Sequence, residues 1–326
     1  MDLTKDNITE LIKKIAIPAS VGTFFQTMYN LVDSKFAGLI SPEALTAIVK
    51  SFPIYLIIIA ASVGISAGTT ALISNTLGQK DTEKATVLFA QSIIVALLIT
   101  FVVTFIGIAS IKDILIILKS NNQIISYATD YMNVIFSGSI VIFLLVTINA
   151  SLVSRGDTKS YRNVLIFSFF LNILLNPLFI YGFYLIPAMG ISGIALATIV
   201  SELIGLIYLI YKINKTEIRE YLSPECFKPK IALISDILKQ AIPSGLSMGM
   251  VGFGVFILIY LVSSYGDFSA GGYGTGVRFE QLFLLPILGL NTATLSLVGQ
   301  NFGANNLNRI KEIYILTLKY GIGLMI

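Results

Sequence analysis

Nine runs of predominantly apolar residues, each about 20 residues long, divide this 326-residue sequence: 15–36, 52–77, 86–111, 127–153, 164–184, 190–211, 237–263, 272–298 and 310–326. An α-helix rises 1.5 Å per residue, so each run spans the roughly 30 Å hydrocarbon core of a bilayer. That length means membrane helices, and the expected fold class is an all-α, polytopic membrane protein. Composition agrees, with 55% apolar residues, 12% charged residues and a mean hydropathy of +0.85, far from the mix of a soluble domain. The first run exceeds a signal-peptide core and no small-residue cleavage pattern follows it, so the first helix is expected to stay. The last run stops after 17 residues with no C-cap and no closing charge, as expected of a truncated chain or a gene fragment.

The basic residues sort by side. Alternate connections hold Lys5, Lys13 and Lys14; Lys80 and Lys84; Arg155, Lys159 and Arg162; Lys212 to Lys239; and Arg309 with Lys311. The opposite side has Lys50, Lys112 and Lys119, with Lys35 near its edge. Positively charged loops remain in the cytoplasm, which places the N-terminus there. The chain has no His and one Cys, Cys226. Haem, iron–sulfur clusters, thiolate zinc sites and histidine acid–base chemistry therefore lack their ligands, no cofactor is expected, and a membrane-embedded enzyme is disfavoured.

A repeat appears at an offset of 225 residues. Lys14, Ala16, Ile17 and Pro18 recur as Lys239, Ala241, Ile242 and Pro243, and Gly64, Leu72 and Gly78 fall on Gly289, Leu297 and Gly303. An even number of helices separates the copies, so both enter from the same side and are related by an axis along the membrane normal. This is transporter architecture. The reading gives 1–212 as a first lobe of helices one to six, 213–238 as a cytoplasmic loop between lobes, and 239–326 as helices seven to nine of a second, incomplete lobe.

Polar residues inside apolar helices are the candidates for chemistry, because facing them to lipid would cost several kcal/mol. Gln26, Asn30 and Asp33 share one face of helix one at i, i+4 and i+7. From this stripe alone, a functional carboxylate and a helix end wetted by headgroups and paired with a Lys are both open. Asn172 and Asn176 share a face of helix five, where amides also serve as interhelical glue. Glu202 lies near the midplane of helix six, and reads either as a substrate-cavity carboxyl or as a hydrogen-bonded structural one. Arg278 and Glu280 in helix eight are the weakest candidates. The small residues of helix two, Gly64 and Gly68 among them, are explained by close packing. Pro18 and Pro243 stand at matching kink positions, either static or hinged.

Three stretches resemble the multidrug and toxic compound extrusion (MATE) family: GISAGTTALISNTLGQKDTEKA at 64–85, SRGDTKSYRNVLIFSFFLNILLNPLFIY at 154–181 and VGQNFGANN at 298–306. The resemblance covers essentially the whole chain. It implies two six-helix lobes around a central cavity, alternating access, and efflux driven by H⁺ or Na⁺. It also implies a coupling carboxylate at Asp33 supported by Tyr131, Asn172 and Asn176; Gln26, Asn30 and Glu202, read from their own placement in helices one and six, are the substrate-cavity candidates. No metal is implied beyond Na⁺ at Asp33. The second helix-five position is often Asp in such proteins and is Asn176 here, and helix seven has no acid after Asp236.

The expected function is thus a secondary antiporter exporting amphipathic, often cationic, organic compounds. A lipid-linked oligosaccharide flippase and a non-transporting fragment are the alternatives. The expected partners are small organic cations or drugs and membrane lipid, with no nucleic acid, for a monomer in a bacterial-type plasma (inner) membrane.

Overall fold

A computed structural model describes residues 1–325 and the side chains of all of these except 267 and 278–283; Arg278 and Glu280 therefore lie outside the described residues. The helices are α1 (Ile8–Ile40), α2 (Pro42–Gly78), α3 (Thr82–Ile117), α4 (Asn122–Val153), α5 (Lys159–Tyr181), α6 (Ile191–Ile213), the single turn α7 (Ile218–Tyr221), α8 (Ile231–Ser263), α9 (Asp267–Gly303) and α10 (Leu307–Met325), with a 3₁₀ turn at Pro224–Phe227. The chain is a multi-pass, all-helical membrane protein. Six of the described helices, α2 to α6 and α8, are each apolar enough to cross a bilayer. The other three predicted spans also form long helices, α1, α9 and α10. Polar residues thin their apolar runs, Asp33 and Lys35 in α1 being one example.

Short polar residues start the first four helices. The side chains of Asn7, Ser41, Asp81 and Asn121 accept from the backbone amides of Glu10, Ala44, Lys84 and Ile124 at 2.9–3.2 Å, satisfying donors that have no partner within the helix. Ser41 alone separates α1 from α2. Several helices outrun their apolar cores. α2 has 37 residues and begins ten residues before its apolar run, and this extension alters the reading of Lys50. Counted above among the few basic residues of the side opposite the N-terminus, Lys50 is fully buried, and its Nζ donates to the carbonyls of Leu118 (2.9 Å) and Lys119 (3.4 Å) at the C-terminal end of α3. Those carbonyls form the negative end of the helix dipole, where an ammonium is favoured.

The repeat is visible in the packing. A Cβ on Gly64 would lie 2.5 Å from the Ala241 carbonyl oxygen, and one on Gly289 would lie 2.5 Å from that of Ala16. These two pairs are equivalent at the 225-residue offset, so α2 meets α8 as α9 meets α1. Further along, a Cβ on Gly78 would collide with the carbonyl of Gln300 and one on Gly303 with the carbonyl of Asn75, again an equivalent pair. The small residues of α2 thus serve backbone approach, as expected.

At this end, which also carries the N-terminus, further bonds join the two repeats. Gln300 donates to the Ser154 carbonyl (2.7 Å), Asn301 to the Leu3 carbonyl (3.0 Å) and Arg309 to the Asp6 carbonyl (2.8 Å). Leu3 packs into a cluster with Leu11, Ile15, Leu290, Leu297 and Ile313. The two repeats are therefore drawn together at the N-terminal end of the bundle.

The segment after α6 is held against the first repeat. Gln91 of α3 is fully buried. Its Nε2 donates to the carbonyls of Cys226 (2.7 Å) and Lys228 (2.9 Å), and its Oε1 accepts from the Lys230 amide (2.8 Å). Ile218 is buried in the apolar cluster of α3, α4 and α6, and Glu217 lies 3.8 Å from Arg155. Burial pushes the Arg155 guanidinium down to about 10, with Glu217 opposing the shift.

Candidate functional site

Asp33 belongs to a helix that could not present it to lipid, and the fold turns it inward, 4% exposed. Helices α5 and α6 meet it there. Asn176 Nδ2 donates to Asp33 Oδ1 at 3.0 Å and to Asn172 Oδ1 at 2.8 Å. The Thr198 hydroxyl lies 3.1 Å from Asp33 Oδ2 and 3.1 Å from the Ile194 carbonyl, so its one proton is shared between two acceptors. The i, i+4 spacing of Asn172 and Asn176 puts both amides on the α5 face toward α1, and both are fully buried. Asp33, Asn172 and Asn176 are brought together by these bonds.

Two narrow cavities flank this centre. Asn30 and Tyr131 line one, with Ile48, Ser51, Phe52 and Tyr55. Gln26, Tyr29 and Glu202 line the other, with Ser168, Leu145 and Val164. Tyr131 is buried at 9% exposure and enters the site from α4 on the Asn30 side. Gln26, Asn30 and Glu202 all reach these cavities, although the stripe of α1 divides between them.

Thr198 and Tyr29 were not foreseen. Thr198 stands one turn before Glu202 on α6, and Tyr29 one turn before Asp33 on α1, so both lie on polar faces the sequence displays. A membrane threonine commonly bonds back to its own helix, as Thr198 does to Ile194, and nothing local marks it as a carboxylate partner. The hinge candidates part ways. Pro18 is buried whereas Pro243 is exposed, and the Ile15 carbonyl, in the turn before Pro18, accepts a bond from Thr158 at 2.9 Å. Both prolines sit inside continuous helices.

Several polar atoms in this region are buried without a hydrogen-bond partner: Tyr29 Oη, Asn172 Nδ2, Asn176 Oδ1, Ser201 Oγ and Glu202 Oε2. Such an atom costs about 1–3 kcal/mol unless a proton, ion or water supplies the missing bond. The oxygens of Asp33, Asn172, Asn176 and Thr198 suit a proton or a hard monovalent cation. Among the described residues, no group of three His, Cys, Asp or Glu side chains could hold a metal ion. A larger cleft between α2, α3 and α8, about 300 Å³, is lined by Leu56, Ile57, Ile114, Phe253 and Phe256. Its walls are apolar and it offers no group for ion coupling.

Comparison with known proteins bears on the family and the fold. Residues 18–178 and 243–326 match the MatE family model. A Thermotoga maritima protein described as a probable multidrug resistance protein, NorM, is 28% identical over 330 residues, covering 98% of this chain and 70% of that one. A Bacillus subtilis protein described as a probable multidrug resistance protein, YpnP, is 30% identical over 313 residues, covering 95% and 68%. A solved structure described as the outward-facing conformation of a multidrug resistance MATE transporter superposes with a TM-score of 0.87 at 26% identity, covering 99% of this chain and 71% of that one.

Proposed function

The chain belongs to the MatE family, and from that premise we propose that it is a secondary antiporter exporting amphipathic, often cationic, organic compounds from the cell in exchange for H⁺ or Na⁺. The observation that carries this is Asp33: a carboxyl buried among membrane helices, whose oxygens accept bonds from the neutral donors Asn176 and Thr198. A carboxyl in this setting can take up and release a cation as the site opens to one side and then the other. Tyr131 and the α5 amides shape its surroundings. A cationic compound and the coupling ion then compete for one negative charge, and exchange follows when the two states of the protein bind them unequally.

On this reading the protein lies in the plasma membrane with its N-terminus in the cytoplasm, as the distribution of Lys and Arg argues. The face closed by the Gly78 and Gly303 contacts is then the cytoplasmic one, and the structure supports an outward-facing reading.

The test is gradient-driven movement of ethidium into proteoliposomes carrying the chain, with imposed pH or Na⁺ gradients. Asp33→Asn should abolish the gradient-driven component while passive leak stays unchanged. Uptake by Asp33→Asn that still follows the ion gradient would refute the coupling role.

A further inference from the structure

We propose that Glu202 is a second proton-binding carboxyl of the first repeat, acting together with Asp33 so that the site carries two exchangeable protons. This rests on the antiport reading above and deepens it. The geometry of α6 carries the proposal. Glu202 lies four residues after Thr198, the residue that donates to Asp33 from across the helix interface, so Glu202 and the Asp33 partner Thr198 occupy neighbouring turns of one polar face of α6. Its Oε2 is buried with no hydrogen-bond partner in the cavity it shares with Gln26, Tyr29 and Ser168. Tyr29 is only 7% exposed, its hydroxyl is buried without a hydrogen-bond partner, and Thr198 and Glu202 are among its neighbours. The Ser168 hydroxyl donates to the Ser201 carbonyl at 3.1 Å, which ties α5 to α6 next to Glu202.

The charges around Glu202 explain why a proton is the ligand. Helix α6 packs against α1, α4 and α5. Tyr29 and Asp33 of α1, Tyr161 of α5 and Tyr55 of α2 lie within electrostatic reach of Glu202. The cavity residue from α4, Leu145, is apolar, and Arg162 of α5 bonds to Asn163. The described residues lining the Glu202 cavity include no Lys or Arg. A carboxylate in a low-dielectric membrane interior without a basic neighbour demands a positive charge. The narrow space and the one unpartnered oxygen favour a proton over Na⁺, which takes several oxygen ligands. Binding is a simple proton transfer: hydronium on the open side gives a proton to the carboxylate and becomes water, and the acid returns the proton to water on the other side. Helix α5 contributes amides and hydroxyls but no carboxylate here, so the negative charge of the region comes from α1 and α6.

The experiment is pH-difference infrared spectroscopy of the purified full chain in nanodiscs, following protonated-carboxyl bands between about pH 4 and pH 9. The parent should show two titrating buried carboxyl bands, of which Glu202→Gln removes one and Asp33→Asn the other. In Asp33→Asn the remaining band should titrate with its midpoint displaced by about one pH unit, because the two groups are coupled. Should Glu202→Gln fold poorly, Glu202→Asp and that displacement in Asp33→Asn still decide the matter. A parent spectrum unchanged by Glu202→Gln, or a Glu202 band that responds to added NaCl and not to pH, would overturn the proposal. Loss of no band in Asp33→Asn would instead refute the role of Asp33, which keeps the two failures distinct.

Discussion

Removing the Gln91 side chain should release the segment that joins the two repeats, and the only cysteine in the chain sits where it can report the release. Gln91 is fully buried and uses both its amide hydrogens and its oxygen on backbone groups of Cys226, Lys228 and Lys230. In Gln91→Leu the three bonds vanish. At about 1 kcal/mol net each, docking of the segment weakens by about 3 kcal/mol, or roughly 150-fold in its opening equilibrium. If the segment stayed docked, three backbone groups would be buried unpaired at greater cost, so it should move out to water instead. Cys226 is 6% exposed when docked, its thiol near the Tyr221 carbonyl at 3.5 Å. When opening is fast compared with reaction, the rate of labelling by a water-soluble maleimide follows the open population. The parent should therefore react slowly and Gln91→Leu about two orders of magnitude faster, with the urea-unfolded chain setting the upper limit. Gln91→Glu should label at least as fast, since it opposes a carboxylate to two carbonyls. Equal rates in the parent and Gln91→Leu, with circular dichroism unchanged, would refute the clamp. A surviving clamp means that this segment moves with the first repeat, and that any hinge between repeats lies at the start of α8.

Two further substitutions test the packing. Gly78→Ala and Gly303→Ala each force a methyl into the facing carbonyl, a clash of about 1–3 kcal/mol. Either one should raise hydrogen exchange in both 73–85 and 298–306, and an effect confined to the substituted helix would count against a shared contact. Lys50→Met removes a buried ammonium from the α3 terminus and should destabilise the chain by about 2 kcal/mol. Thermal unfolding in detergent should fall accordingly, and an unchanged midpoint would rule out the capping role.

The membrane helices and the repeat were legible in the sequence because both are properties of a chain read along its length. An apolar run of about 20 residues has one stable fate in lipid, and a two-fold arrangement leaves the same residues at a fixed offset. Asp33, Asn172 and Asn176 were legible for a related reason. A polar residue in such a run must face protein, and its spacing shows which neighbours share its face. What a face meets is a different matter, because it depends on residues far away in the sequence. Thr198 is 165 residues from the carboxylate it bonds, Gln91 is 135 residues or more from the carbonyls it holds, and Lys50 is 68 residues from Leu118. Each has an ordinary local role available: a threonine bonding its own helix, a glutamine gluing two helices, a lysine in water. Only the packing of α3, α6 and the segment before α8 decided otherwise, since a buried polar group takes the partner that tertiary structure brings within hydrogen-bonding distance.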